Sequence, residues 1–260
     1  SRRQRQMCIR DRFISMAIIA KNLGPESFGK IQYVFSIHYL LQIMELISHP
    51  SIVKQMLLEN KYTHNIIMGS SFFINAFMAV TILMTSSIIA YFLYDDKYLL
   101  TIFIAAQIGL LARSFNNVSF YFDSVLESKK TSTSQFLGNF ISNTSRVIAI
   151  FFTHNLIIQS LLFSLQFFVT SLANIIYYSK SPHAINIKTW KIDKKLVKHI
   201  LRLSTPLLFT ALASVIFFKI DIIMLEHLVS TRAVGIYSVA VKLSEPWFFF
   251  SGAIITSFFP

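Results

Sequence analysis

Long apolar runs separated by short polar stretches fill the chain from Phe13 onward. A helix needs about 20 apolar residues to cross a bilayer core. On that measure the runs predict eight spans: 13–20, 29–49, 66–94, 98–119, 134–153, 156–178, 203–226 and 234–259. No run shows the sustained period-2 alternation of a membrane β-barrel, so helices are predicted throughout. The polar stretches alternate in charge. Stretches 50–65, 120–133 and 179–202 hold eleven Lys and Arg, among them Lys54, Lys61, Lys129, Lys188, Lys194 and Arg202. Stretches 21–28, 95–97, 154–155 and 227–233 hold three: Lys21, Lys97 and Arg232. Basic loops stay in the cytoplasm, so a multi-pass protein with its N-terminal side cytoplasmic is predicted.

The expected fold class is an all-α polytopic membrane protein. A six-helix N-terminal lobe covers 13–178, a basic cytoplasmic linker 179–202, and the first two helices of a second, repeat-related lobe 203–260. In the linker, Ile192, Leu196 and Ile200 share one helical face and Trp190 stands at its start. That pattern predicts an amphipathic helix on the membrane surface, drawn to anionic lipid.

Composition agrees. The 260 residues are 54% hydrophobic and 14% charged, against about 25% charged in soluble domains. The net charge of +12 would suit nucleic acid in a soluble protein. Here most lysines lie between apolar runs instead of on one dense face, and no nucleic-acid partner is expected. The opening SRRQRQMCIRDR holds five arginines and no apolar run. Its Met7–Asp11 stretch reads as the translation of a sequencing-library adapter, so residues 1–12 are taken as non-native and left out of the fold. The one cysteine, Cys8, falls inside it, so neither a disulfide nor a cysteine metal cluster is expected. The abrupt start at Phe13 and the apolar end at Pro260 predict a chain cut at both ends.

Polar side chains at membrane depth are costly and normally face a cavity or a partner. The second span carries His38, Gln42, Glu45 and His49 on one helical face, and the fifth carries Gln135, Asn139, Ser142 and Arg146 at the same spacings. Arg113 and Asn117 lie one turn apart in the fourth span, and Ser160, Ser164, Ser171 and Asn174 form a weaker stripe in the sixth. Lys219 and Lys242 are further cations, and Asp221 is the acid in the middle of the seventh span. These stripes either line a wet cleft or brace helices against one another. Bracing would pair Arg146 with Glu45 and Lys242 with Glu245. Catalytic motifs are lacking: there is no glycine-rich phosphate loop, HExxH or nucleophile elbow.

Two short stretches six spans apart are alike. Leu23-Gly24-Pro25-Glu26-Ser27-Phe28-Gly29 is followed by Tyr33, and Ser230-Thr231-Arg232-Ala233-Val234-Gly235-Ile236-Tyr237 repeats the apolar-Gly pair and the tyrosine. The spacing predicts two six-helix halves in a parallel repeat. The LGPESFG turn resembles the start of the polysaccharide-biosynthesis exporters, including O-antigen flippases, of the multidrug/oligosaccharidyl-lipid/polysaccharide exporter superfamily. Lys219-Ile220-Asp221-Ile222-Ile223-Met224-Leu225, followed by Val234-Gly235-Ile236-Tyr237-Ser238-Val239-Ala240, is similar to that family's seventh and eighth spans. The resemblance covers 13–260. It implies two lobes and export of a saccharide linked to polyprenyl phosphate or pyrophosphate across the bacterial inner membrane. It also implies the lipid bilayer and other polysaccharide-assembly membrane proteins as partners, with no cofactor, no metal and no enzyme activity.

On that reading the substrate-binding cleft residues are Arg146, Arg113, His38, Gln42, Glu45, Asn139, Asn117 and Lys219. Arginine suits a phosphate through its planar donor fork. Asp221 is the candidate for a coupling proton or sodium ion. Two other functions compete. A drug or cation antiporter of the same superfamily would favour acids and aromatics over arginine in its cleft. A membrane-embedded glycosyltransferase or polymerase would carry a large external loop.

Overall fold

The computed structural model describes residues 2–59, 62–94, 96–181 and 187–258. Lys61 lies outside the described residues, as do the side chains of 2–13 (with Cys8), Leu46, Lys188 and 245–258 (with Glu245). The described residues are α-helical with short 3-10 turns and no strand. The helices are α1 (Arg2–Met44), α2 (Pro50–Glu59), α3 (His64–Leu93), α4 (Lys97–Gln107) and α5 (Gly109–Arg113). They continue with α6 (Asn117–Ser124), α7 (Ser128–Phe152), α8 (Leu156–Ser179), α9 (Lys194–Leu228) and α10 (Thr231–Phe258). Four stretches are each long and apolar enough to cross a membrane: His64–Leu93, Lys97–Ser124, Leu156–Ser179 and Lys194–Leu228. Their outward faces are apolar, with Phe77 60% and Met84 61% exposed on α3 and Phe217 75% exposed on α9. Helices that keep such residues outside need a lipid solvent. The molecule is an all-α polytopic membrane protein.

Local chemistry sets the helix boundaries. Asp96, Asn155 and Asp193 cap α4, α8 and α9, each accepting from the backbone N–H two residues on, as short polar side chains do for the orphan donors of a first turn. Gly24 interrupts α1 at φ 74° and ψ 166°, a conformation open to glycine and strained for other residues. Pro25 then reopens the helix with its fixed φ.

Where α1 meets α10, the two similar stretches touch each other. A side chain on Gly29 would run into the carbonyl of Thr231, and one on Gly235 into the carbonyl of Pro25. Each glycine therefore sits on the backbone four residues before the other glycine. This reciprocal contact brings two helix backbones together as closely as small residues allow. Tyr33 extends it, accepting from Tyr94 Oη at 3.2 Å and lying 3.4 Å from His227 Nε2.

The opposite, basic end is tied differently. Leu196 and Ile200 of α9 are buried against Val53, Met56, Ile67, Met68 and Tyr121. The Lys191 N–H donates to Asn65 O and the Asp193 N–H to Ser70 Oγ, with Gly69 leaving room for the Lys191 backbone. Trp190 packs on Phe72 and Tyr178. Among the described residues the amphipathic part of the basic stretch is thus not a helix separate from the seventh span. Its helix begins at Lys194 and runs unbroken into the seventh span, because the apolar face of Leu196 and Ile200 finds protein to pack against.

Two serines of the α8 stripe, Ser164 and Ser171, are spent on packing. Ser164 donates to the carbonyls of Ala105 and Ala106, Ser171 to Ala112 O at 2.5 Å, and Ser142 of α7 to Leu162 O at 2.6 Å. Ser171→Val removes one such bond and adds bulk at a close helix contact. It is expected to destabilise the protein by about 1–3 kcal/mol, measured as a lowered Tm in detergent micelles.

Candidate functional site

The site is built on the end of α1, which presents His38, Tyr39 and Gln42, and on Glu45, the first residue of the 3-10 turn that follows it. Arg113, the last residue of α5, donates from Nε to Glu45 Oε2 at 2.8 Å. The Gln42 amide lies against both terminal nitrogens of the same guanidinium and accepts from them once its oxygen is turned toward them. The Phe167 ring lies 5.4 Å from the guanidinium carbon. The fourth span delivers Arg113 here because it is not one regular helix. It breaks between Gln107 and Gly109 and tightens to a 3-10 turn over Ser114–Asn116. Gly109 lets this segment press against Phe167 and Ser164 of α8.

Arg146 comes from α7 and is 9% exposed. Its Nε donates to Gln159 Oε1 at 3.4 Å, and Gln159 Nε2 donates back to the Arg146 carbonyl at 3.1 Å. The guanidinium lies over the rings of Phe35 and Phe163, at 5.2 and 6.0 Å. Among the described residues no carboxylate pairs with it. Phe163 stacks on Phe35 at 3.9 Å and meets Phe167 edge-on at 5.7 Å. One aromatic floor therefore underlies both arginines. Lys219 of α9 adds a third cation, its Nζ 5.2 Å from the centre of Tyr39.

The three cations are staggered along the bundle. At 1.5 Å per helical residue, Arg146 lies about 9 Å in from the Phe152 end of α7 and Lys219 about 14 Å in from the Leu228 end of α9. Arg113 lies about 24 Å in from the Lys97 start of α4. These reference points share one end of the molecule, where Tyr98 meets Asn155 and Tyr33 meets His227. The result is a ladder of positive charge across about half of an apolar core about 30 Å thick.

Not every candidate joins the ladder. His38 is fully buried, with Nδ1 3.1 Å from Gln107 Oε1 and its ring among Tyr39, Phe163 and Phe167. It supports the floor as a packed histidine. Asn117 donates to Met68 O at 3.0 Å and Ser71 Oγ at 3.4 Å, bracing α6 to α3. Asn139 donates to Gln135 O in its own helix. Asp221 is exposed and accepts from Tyr237 Oη at 2.8 Å, while Lys219, two residues earlier, meets Tyr39. The pairing weighed from the sequence is also exchanged: Glu45 binds Arg113, and Arg146 rests on Gln159.

Sequence reasoning missed Gln107, Gln159, Tyr39 and the three floor phenylalanines. The two glutamines carried a usable signal, as uncharged amides inside apolar runs. The phenylalanines carried none, being three among 26.

These features define a class: a multi-pass α-helical membrane protein whose rare buried and half-buried cations converge from several helices on shared aromatic packing. The family model for polysaccharide biosynthesis proteins matches residues 12–260. The chain belongs to that family, which makes it a membrane protein of polysaccharide biosynthesis and transport. No curated protein and no solved structure gives a significant match.

Proposed function

We propose that the protein flips lipid-linked oligosaccharide or polysaccharide repeat units across the bacterial cytoplasmic membrane by alternating access. Its N-terminal side and its basic loops face the cytoplasm. The anionic phosphate or pyrophosphate head travels along the Arg113, Lys219 and Arg146 ladder. Gln42 and the amides beside it replace water around the head and its sugar, while the lipid tail stays in the bilayer. Asp221 is assigned the coupling ion, outside the ladder itself. The protein moves its substrate without chemical change.

The observation that carries this reading is Arg146. Burying a guanidinium without a carboxylate costs several kcal/mol. A purely structural site gains nothing from that cost. An anion-transport site does, because the missing counter-charge arrives with the substrate. A cation antiporter has the opposite need, and the only carboxylate in the described cluster, that of Glu45, is already bound to Arg113. In cells whose surface polysaccharide depends on this protein, the Arg113→Ala/Arg146→Ala double variant is expected to insert at normal level and to leave the surface bare. Normal surface polysaccharide from that variant would defeat the proposal.

A further inference from the structure

The two arginines of the ladder are not equivalent. Arg146 has no carboxylate among the described residues, whereas Arg113 already holds one. Glu45 sits where an incoming anion would sit: Oε2 accepts from Arg113 Nε, and the Gln42 amide, with its oxygen turned inward, lies against the terminal nitrogens. Glu45 is only 6% exposed, and its second oxygen, Oε1, is buried without a hydrogen-bond partner. A dehydrated carboxylate with one oxygen unsatisfied is poorly compensated. A phosphate brings more oxygens to the same donor fork and satisfies it better. Glu45 also lies at a helix end. Glu45 is the first residue of the 3-10 turn that follows α1, and Ser48, which closes that turn, leaves the helical conformation.

We infer that Glu45 is a built-in competitor for the substrate's head phosphate at Arg113. It neutralises Arg113 while the site is empty, gives way when a polyprenyl phosphate or pyrophosphate head loads, and returns as the head moves on toward Arg146. The inference rests on the cationic-ladder reading above and adds a selection step to it. A small monovalent anion gains too little at Arg113 to displace a carboxylate. A multivalent phosphate displaces it.

The test uses the purified full-length protein in detergent micelles, titrated with geranylgeranyl pyrophosphate. Glu45→Gln is expected to tighten binding about tenfold, close to the weakest coupling measured for close charge pairs. Glu45→Asp, which withdraws the acid by one methylene, is expected to tighten it less. Adding Arg113→Ala to either should cancel the gain, as a double-mutant cycle requires for a direct interaction. The wild-type protein gives an independent reading. Labelling of Glu45 by dicyclohexylcarbodiimide, followed by mass spectrometry, should rise severalfold when geranylgeranyl pyrophosphate is bound. If labelling does not rise, or if the folded Glu45 variants bind no more tightly than wild type while Arg146→Ala still weakens binding, Glu45 is a helix brace and the inference fails alone. If Arg146→Ala binds as wild type does, the ladder reading fails with it.

Discussion

Arg146→Ala should slow export on the order of a hundredfold without unfolding the protein. Removing one side of a desolvated charge interaction costs about 2–5 kcal/mol, and each 1.4 kcal/mol is a factor of about ten. In this account the interaction exists only while the substrate passes, so the loss appears in the transport rate. Stability should stay level or rise slightly, because the variant no longer buries a guanidinium that lacks a carboxylate. Arg146→Lys should recover only part of the rate. An ammonium keeps the charge but has no planar fork to hold two phosphate oxygens, and it stacks less well on Phe35 and Phe163. A merely structural Arg146 would give the reverse pattern, with a lowered Tm and an export rate that follows the amount of folded protein. Rates per folded molecule in vesicles, compared with melting curves, separate the two.

Gly29→Leu should abolish export. A β-carbon at Gly29 already meets the Thr231 carbonyl and approaches the Gly235 nitrogen at 3.1 Å, and a leucine forces α1 and α10 apart over at least a turn. Overpacking costs about 1–3 kcal/mol in stability. The larger effect is functional, because the end of the bundle away from the basic loops could no longer close, and alternating access needs each end to close in turn. Gly235→Leu should do the same, since the contact is reciprocal. Gly24→Leu is a useful contrast. Nothing lies within 4 Å of the position a β-carbon would take there, and only the positive φ opposes the change. It should destabilise α1 locally without wedging α10 away. Equal export by Gly29→Leu and wild type would show that this contact does not work as a gate.

Hydrophobic pattern made most of the fold legible, because a membrane span must satisfy its backbone internally and show lipid an apolar face. The helices fall close to the predicted runs, from His64–Leu93 to Leu156–Ser179. Two features were hidden. The broken fourth span depends on Gly109 meeting α8, a tertiary contact with no local signature. The amphipathic stretch at 194–200 reads the same whether its apolar face meets lipid or protein. Burial of Leu196 and Ile200 decides for protein.

The site was legible in kind and less so in detail. Period 3.6 placed His38, Gln42 and Glu45 on one face and separated Lys219 from Asp221, as the structure has them. It could not say which arginine meets Glu45, because Arg113 and Arg146 reach that face from different helices. Nor could it tell a bracing asparagine such as Asn117 from one facing a passage. That choice depends on the Met68 carbonyl across the helix gap.

The central claim is that buried cations carry an anionic lipid head through the membrane. It is tested most directly in proteoliposomes loaded with a fluorescent polyprenyl-pyrophosphate saccharide, by following access of the sugar to a membrane-impermeant quencher. The full-length protein should expose the inner-leaflet pool far faster than protein-free vesicles, and the Arg113→Ala/Arg146→Ala variant should match the protein-free rate. Wild-type vesicles no faster than empty ones, or a double variant as fast as wild type, would contradict the account.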